Sequence, residues 1–169
     1  MNSKTLIINS QKVSQKIIRI AYEILEHNFD EQELVLIGIA NRGYKVAEMI
    51  HKTIQDIAPE VKFSLQSITL DKDNVFDKEK IKFSGNLNEL SGKTVIVIDD
   101  VLNSGKTLMY AVKYILNADI KKLNTAVLVD RRHRNFPIRA DFAGLTLSTT
   151  IQEHIYVEFK GEEIEVYLD

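Results

Sequence analysis

Apolar positions recur along the chain with two different periods, and the alternation of those periods predicts the fold. Between residues 11 and 27, Val13, Ile17, Ile20, Ala21, Ile24 and Leu25 share one face at helical spacing, with Ser10 where an N-cap belongs. Residues 34–40 are instead a continuous apolar run, the pattern of a strand buried on both faces inside a parallel sheet. A helix follows with Val46, Ala47, Met49, Ile50 and Ile54 inward, and it must stop before Pro59. Residues 61–70 supply another strand. Thr94-Val95-Ile96-Val97-Ile98 repeats the buried-strand pattern, and a helix over 105–117 then sets Leu108, Ala111, Val112 and Ile115 on one face. Residues 123–129 read as one more buried strand, while 154–159 and 163–168 alternate about Lys160-Gly161, a hairpin signal. Strands alternating with helices imply an α/β fold with a central, mostly parallel sheet flanked by helices, closed here by a C-terminal β-hairpin.

Two segments break the pattern. Residues 71–90 are charged and hold Gly85 with Asn74, Asn86 and Asn88, which reads as a loop or a mobile hairpin able to fold over a site. Lys72, Lys78, Lys80 and Lys82 are the candidate phosphate contacts in it. Residues 131–150 are irregular, interrupted by Pro137 and Gly144, and open on the basic cluster Arg131-Arg132-His133-Arg134, joined by Arg139. No repeat, linker or low-complexity tract divides the chain, so residues 1–169 are expected to form one domain.

Composition narrows the class. A hydrophobic content of 44% and a charged content of 27% belong to an ordinary globular protein, and a net charge of −2 gives no global pull toward nucleic acid or anionic membrane. Cysteine is absent, which removes disulfides, thiol nucleophiles and most structural zinc sites. The start of the chain leads into no apolar leader, and no apolar run is long enough to span a bilayer, so a cytoplasmic location is expected. The spacing of His27, His51, His133 and His154 fits no metal site.

Candidate chemistry gathers at the end of the 94–98 strand. Asp99 and Asp100 come first, then the small polar turn Asn103-Ser104-Gly105-Lys106-Thr107 at the start of a helix. In open α/β sheets the ligand crevice lies outside the carboxyl ends of strands. Backbone N–H groups of 103–107, the hydroxyls of Ser104 and Thr107 and a helix N-terminus together make a nest for a phosphate. The two carboxylates would repel that phosphate and suit neutral hydroxyls beside it, such as those of a ribose. A sugar phosphate meets both demands. Ala40-Asn41-Arg42-Gly43, where the 34–40 strand meets its helix, offers an Arg and backbone amides for a second anion such as pyrophosphate. A Walker A loop is excluded, since Asp100 stands where its first glycine is required, and no Gly-x-Gly-x-x-Gly occurs.

The stretch from Val95 to Thr107, with its apolar run, paired acids and Ser-Gly-Lys-Thr turn, resembles the phosphoribosyl pyrophosphate (PRPP) signature of type I phosphoribosyltransferases. Beyond it, the chain resembles the bacterial pyrimidine-operon attenuation regulators that double as uracil phosphoribosyltransferases. The resemblance is carried by residues 19–24, 35–39, 68–70 and 97–102, and above all by residues 126–142, from Ala126-Val127-Leu128-Val129-Asp130 through Arg131-Arg132-His133-Arg134 to Ala140-Asp141-Phe142. It implies the type I phosphoribosyltransferase fold with a small hood built partly from 131–150. It implies transfer of ribose 5-phosphate from PRPP to uracil, giving UMP and pyrophosphate, or alternatively an RNA-binding attenuator that senses UMP and PRPP with little turnover.

Residue by residue, the resemblance assigns Asp99, Asp100 and Arg42 to catalysis. PRPP binding falls to Ala40, Asn41, Arg42, Gly43, Asp99, Asp100, Asn103, Ser104, Gly105, Lys106 and Thr107. Base binding falls to Asp130, Arg131, Ile138 and Phe142, and RNA contact to His133, Arg134 and Arg139. Mg²⁺ held chiefly by PRPP and a homodimer or dimer of dimers are also implied. The chain departs from the family where Asn41 replaces a Thr, where Arg132 replaces a Gly, and where Ile18, Tyr22 and Leu145 replace polar or cationic residues of the RNA-binding face. Purine transferases of similar type usually place an Asp where Asn103 stands, and its absence favours a pyrimidine. Loss of polar and cationic groups weakens RNA affinity, so the enzyme ranks above the regulator.

Overall fold

The computed structural model describes residues 4–71, 74–148, 153–161 and 163–169. The chain runs β1 (Thr5–Ile8), α1 (Ser10–His27), β2 (Glu33–Ile39), α2 (Arg42–Ile57), β3 (Lys62–Thr69), β4 (Lys82–Phe83), β5 (Thr94–Leu102), α3 (Lys106–Ile115), β6 (Lys122–Asp130), β7 (Phe142–Thr146), β8 (Ile155–Lys160) and β9 (Glu163–Leu168). Six strands form the main sheet in the order β4-β3-β2-β5-β6-β7, parallel except for the short edge strand β4, and β1-β9-β8 form a second, antiparallel sheet.

The centre of the main sheet is buried on both faces because β2, β5 and β6 carry continuous apolar runs over 34–37, 95–98 and 126–129. Leu34, Leu36, Ile96, Ile98, Ala126 and Leu128 face one core, shared with α1, α2 and the β8–β9 hairpin. Val35, Ile37, Val95, Val97 and Val127 face the other, shared with α3 and with Val75 and Leu90 of the 71–90 segment. Each of the Val, Leu and Ile side chains contributes about 1.5–3 kcal/mol relative to exposure. The alternation along one strand therefore holds two layers together at once.

Several expectations needed correction. The α1 cap is Asn9, not Ser10: its Oδ1 accepts the Lys12 N–H at 3.0 Å from an extended backbone, and Ser10 is already helical. Of the two readings for 71–90 the structure takes the hairpin: β4 returns antiparallel onto β3, flanked by 3-10 turns at Lys78–Lys80 and Leu87–Leu90, with Val75 buried. Residues 131–150 contain a strand, β7, where an irregular segment was expected. Gly144 hides its pattern, because a Cβ there would lie 2.7 Å from the Leu128 carbonyl oxygen. The Arg19 guanidinium also secures β7 by donating to the carbonyls of Ala143 and Gly144. β1 went unread because four residues carry little periodicity, and its partner β9 lies at the other end of the chain.

Candidate active site

β2 and β5 are hydrogen-bonded neighbours running in the same direction, with Ile37 opposite Val97 and Gly38 opposite Ile98. Their carboxyl ends therefore open side by side, and the turns that follow them meet. The contact is close: a Cβ on Gly43 would fall 2.9 Å from the Ile98 carbonyl oxygen and 3.0 Å from Asp99 Oδ1. Only a residue without a side chain lets the two turns approach this far. Between them lies a cleft of about 620 Å³ lined by Ala40, Asn41, Arg42, Asp99, Asp100, Asn103, Ser104, Lys106 and Thr107, together with Ile39, Val101 and Ile155. Nine of the eleven residues assigned to PRPP binding thus line one cavity; Gly43 and Gly105 do not line it, and each adjoins a residue that does.

The electrostatics of that cavity follow from how its helices begin. At the N-terminus of α2, Asn41 makes no side-chain cap hydrogen bond, and no acid lies in the first turn. At the N-terminus of α3, Gly105 sits at φ 84° with no side chain to cap, again with no acid in the first turn. Ser104 Oγ reaches the Lys106 N–H only at a long 3.3 Å. Two helix starts, neither closed by its N-cap side chain, thus point the positive ends of their dipoles at one space, an arrangement that attracts anions. Asn41 itself is held at φ 60°, ψ −83°, a conformation costing on the order of 1–3 kcal/mol for a residue other than glycine. Asn tolerates positive φ better than a β-branched residue does. Against this, the carboxylates of Asp99 and Asp100 supply hydroxyl acceptors, with Asp99 Oδ1 oriented by the Asp100 N–H at 2.9 Å.

The segment after β6 closes over the 103–107 turn. The Arg131 N–H donates to the Leu102 carbonyl at 3.1 Å, and the N–H groups of Asn135 and Phe136 donate to the Ser104 carbonyl at 2.9 and 3.1 Å. Ile138 packs against Gly105, where a Cβ would meet its Cγ2 at 2.8 Å. Of the other residues assigned to the base, Asp130 and Arg131 are buried and neither lines the cleft. The Asp130 carboxylate accepts from the Arg132 N–H at 2.8 Å and pairs with the Arg134 guanidinium. Phe142 lies elsewhere: its ring is buried in the core beside α1, edge-on to His27 at 5.6 Å, which separates it from the cleft.

The basic cluster is divided rather than presented as one face. Arg131 is buried, Arg134 is paired inward, His133 is half-buried, and Arg132 and Arg139 are exposed. Ile18 and Tyr22 stand exposed together on α1. In the 71–90 segment Lys80 is ion-paired with Asp71 at 3.2 Å, and Lys82 is exposed on β4. Lys72 and the side chain of Lys78 lie outside the described residues. Ile155, from the distant hairpin, lines the cleft and was missed, because nothing local in the sequence connects it to the 99–107 stretch.

Among the described residues no group of three or more His, Cys, Asp or Glu could form a metal cage. The donor set instead fits magnesium, which keeps most of its water and binds through one or two carboxylates plus ligand phosphates. No helix among the described residues is long and apolar enough to cross a membrane.

The family model described as a phosphoribosyl transferase domain matches residues 5–161. The bifunctional protein PyrR of Clostridium acetobutylicum is 36% identical over 170 residues, covering 98% of this chain and 96% of its own. That of Enterococcus faecalis is 36% identical over 166 residues, covering 95% and 92%. Among solved structures, the hypoxanthine phosphoribosyltransferase of Trypanosoma cruzi aligns with a TM-score of 0.76 at 16% identity, over 96% of this chain and 95% of that one. A hypoxanthine-guanine phosphoribosyltransferase of Bacillus anthracis aligns at 0.68 and 20% identity, over 86% and 84%. These structures establish the architecture, the type I phosphoribosyltransferase fold.

Proposed function

This chain belongs to the phosphoribosyl transferase domain family, and on that footing we propose that it transfers ribose 5-phosphate from PRPP to uracil, giving UMP and pyrophosphate. The observation that carries the reading is the meeting of two uncapped helix starts and an acid pair in one cleft. PRPP has two anionic groups joined by a ribose, and the cleft offers two anion sites joined by hydroxyl acceptors.

In this reading residues 103–107 hold the 5′-phosphate at the start of α3, and Asp99 and Asp100 accept hydrogen bonds from the ribose hydroxyls. Residues 40–43, with the Arg42 guanidinium, receive the pyrophosphate at the start of α2. Magnesium, brought by the pyrophosphate and reached by Asp99 or Asp100, would neutralise charge on the leaving group. At the ribose C1 the bond to pyrophosphate oxygen breaks as the bond to uracil N1 forms, and the N1 proton is released. No strong side-chain base is needed; positioning and charge neutralisation lower the barrier. The hood formed by 131–138, with Ile138 against the phosphate turn, supplies the wall for the base.

The deciding experiment is phosphoribosyl transfer with Mg²⁺ and PRPP, testing uracil, orotate, xanthine, guanine and hypoxanthine separately. UMP from uracil alone is the expected result; turnover of a purine instead would overturn the pyrimidine assignment. A second reading, attenuation of a pyrimidine operon through leader RNA, is favoured by the 36% identity to proteins named bifunctional PyrR over nearly the whole chain. The divided basic cluster and the exposed Ile18 and Tyr22 rank it second. It requires salt-sensitive, sequence-specific binding of the leader RNA strengthened by UMP, and equal affinity for scrambled RNA would exclude it. With the family we also propose a cytoplasmic homodimer or dimer of dimers, which sedimentation analysis would test.

A further inference from the structure

α1, α2 and the tip of the β8–β9 hairpin meet around a second cavity, of about 450 Å³, that shares no lining residue with the cleft. Small-molecule sites typically occupy about 300–1,000 Å³. The floor and walls here are apolar: Ile17 and Ile164 are buried, Met49 and Phe159 are half-buried, and Ile18 is 46% exposed. Covering so much apolar surface is favourable for any ligand that fits it.

The rim decides which ligand that is. Lys45 and Lys52 stand two turns apart on one face of α2, with Glu48 between them, and all three are exposed. Among the described residues none of the three forms an ion pair. Lys45 leans inward, its Nζ 5.0 Å from the centroid of the Phe159 ring, which holds a cation over the apolar wall. The hydroxyls at the rim are already committed: Ser14 Oγ donates to the Ser10 carbonyl at 3.1 Å, and Thr53 Oγ1 donates to the Met49 carbonyl at 2.8 Å. The side-chain donors left for a ligand are the two ammoniums, and two lysines against one glutamate leave the lining with a net positive charge.

We propose that this cavity is a second ligand site, for a small organic anion with an apolar body and one carboxylate, phosphate or sulfonate group. The body covers Ile18, Met49 and Phe159, and the anionic group meets the Lys45 ammonium, with Lys52 adding to the field. Three elements enclose the space, so a compact ligand fits it better than an extended peptide or a second copy of the chain. The site stands independently of the transfer reading, because none of its residues lines the cleft.

Fluorescence titration with anilinonaphthalene sulfonate, beside the neutral phenyl-naphthylamine, tests this, since the two share a ring body and differ by the anion. We expect one sulfonate bound per chain, roughly fivefold tighter than the neutral compound, the gain of one partly screened ion pair. Added salt should shrink that preference. Lys45→Gln combined with Lys52→Gln should abolish the preference and leave the neutral compound unchanged. Ile18→Gln should weaken both compounds by roughly threefold or more, the share of one apolar side chain. All three positions are exposed, and unaltered thermal melts would show that the variants fold. Equal affinity for the two compounds, a preference that survives loss of both lysines, or no binding of either overturns the assignment. Displacement of the sulfonate by PRPP would put the probe in the cleft, and affinity that falls as protein concentration rises would mean that a second copy covers the cavity. Either result also overturns it, and neither bears on transfer, which the assay with PRPP and uracil decides separately.

Discussion

The two ends of the main sheet are built to opposite rules. At the amino ends of the strands the polar groups find partners within the chain. Lys121 pairs with Glu31 at 2.9 Å, Lys93 pairs with Glu33 at 2.8 Å, and Lys122 donates to the His27 carbonyl at 3.0 Å. At the carboxyl ends, Asn41 leaves α2 uncapped at a positive φ and Gly105 does the same for α3. The comparison can be made with one residue type. Asn9, in extended backbone, caps α1; Asn41, in strained backbone, caps nothing. A helix start closed by its own side chain gains stability, whereas one left open keeps its donors for an anion. Where this chain gives up local stability is therefore a guide to where it binds.

The comparison breaks most sharply at the acid pair. Asp99→Asn and Asp100→Asn keep the shape of the side chain but remove the charge to which the proposed function assigns the ribose hydroxyls and magnesium. Transfer should fall by roughly 10²–10³-fold, the loss typical of one preorganised electrostatic contact. The thermal midpoint of the unliganded protein should hold or rise, since removing one of two adjacent like charges relieves repulsion. Steady-state rates beside thermal melts check both parts, and normal turnover in both variants would remove these residues from the site.

The glycines of the two turns come next. Gly43→Ala would force a methyl against the Ile98 carbonyl oxygen and Asp99, an overpacking cost of about 1–3 kcal/mol. Gly105→Ala would place a side chain at φ 84° against Ile138, adding about 1–2 kcal/mol of backbone strain. Both should also weaken PRPP binding, because relief requires the turns to move apart. Chemical denaturation gives the first quantity and PRPP titration the second. Loss of stability with unaltered PRPP affinity would place the anion sites elsewhere.

The paired asparagines sharpen the contrast by sign. Asn9→Ala removes a working cap and should cost about 1 kcal/mol, with the PRPP-induced rise in thermal midpoint unchanged. Asn41→Gly removes no hydrogen bond that α2 uses and relieves an unfavourable φ. Its stability should equal or exceed the parent by up to about 1 kcal/mol, while the PRPP-induced rise shrinks because the turn is no longer fixed before binding.

Legibility in the sequence followed the same division. The acid pair, the phosphate turn and the buried strands were readable because each is a short contiguous run whose chemistry depends on neighbours along the chain. What escaped depends on contacts distant in sequence. Ile155 lines the cleft only because the hairpin folds back across it, and β1 is a strand only because β9 lies beside it. Phe142 was assigned to the base through the family resemblance. Its ring belongs instead to the core face, a consequence of β7 joining the sheet next to β6. Arg131 was legible as a cation near the site, but not as a buried group turned onto Asn103.

The smallest effect lies at the closed end of the sheet. The Lys121 ammonium holds the Glu31 carboxyl below the ordinary carboxylate range, and Glu31 in turn raises Lys121. A carboxyl whose folded value is depressed contributes stability that is present above its unfolded value of 4.5 and is lost as pH falls through the lower folded value. Lys121→Met should therefore lower the thermal midpoint slightly at pH 7. The gap to the parent should close as pH falls below 4.5 and then through the lower folded value, beyond which Glu31 is protonated in both states. Because the pair is solvent-facing on the lysine side, salt should shrink the same gap at pH 7. PRPP affinity at pH 7 should match the parent, since Lys121 sits at the opposite end of the strands from the cleft. A Lys121→Met variant that lost PRPP binding while keeping its melting behaviour would mean the two ends are energetically coupled, and would break the contrast between them.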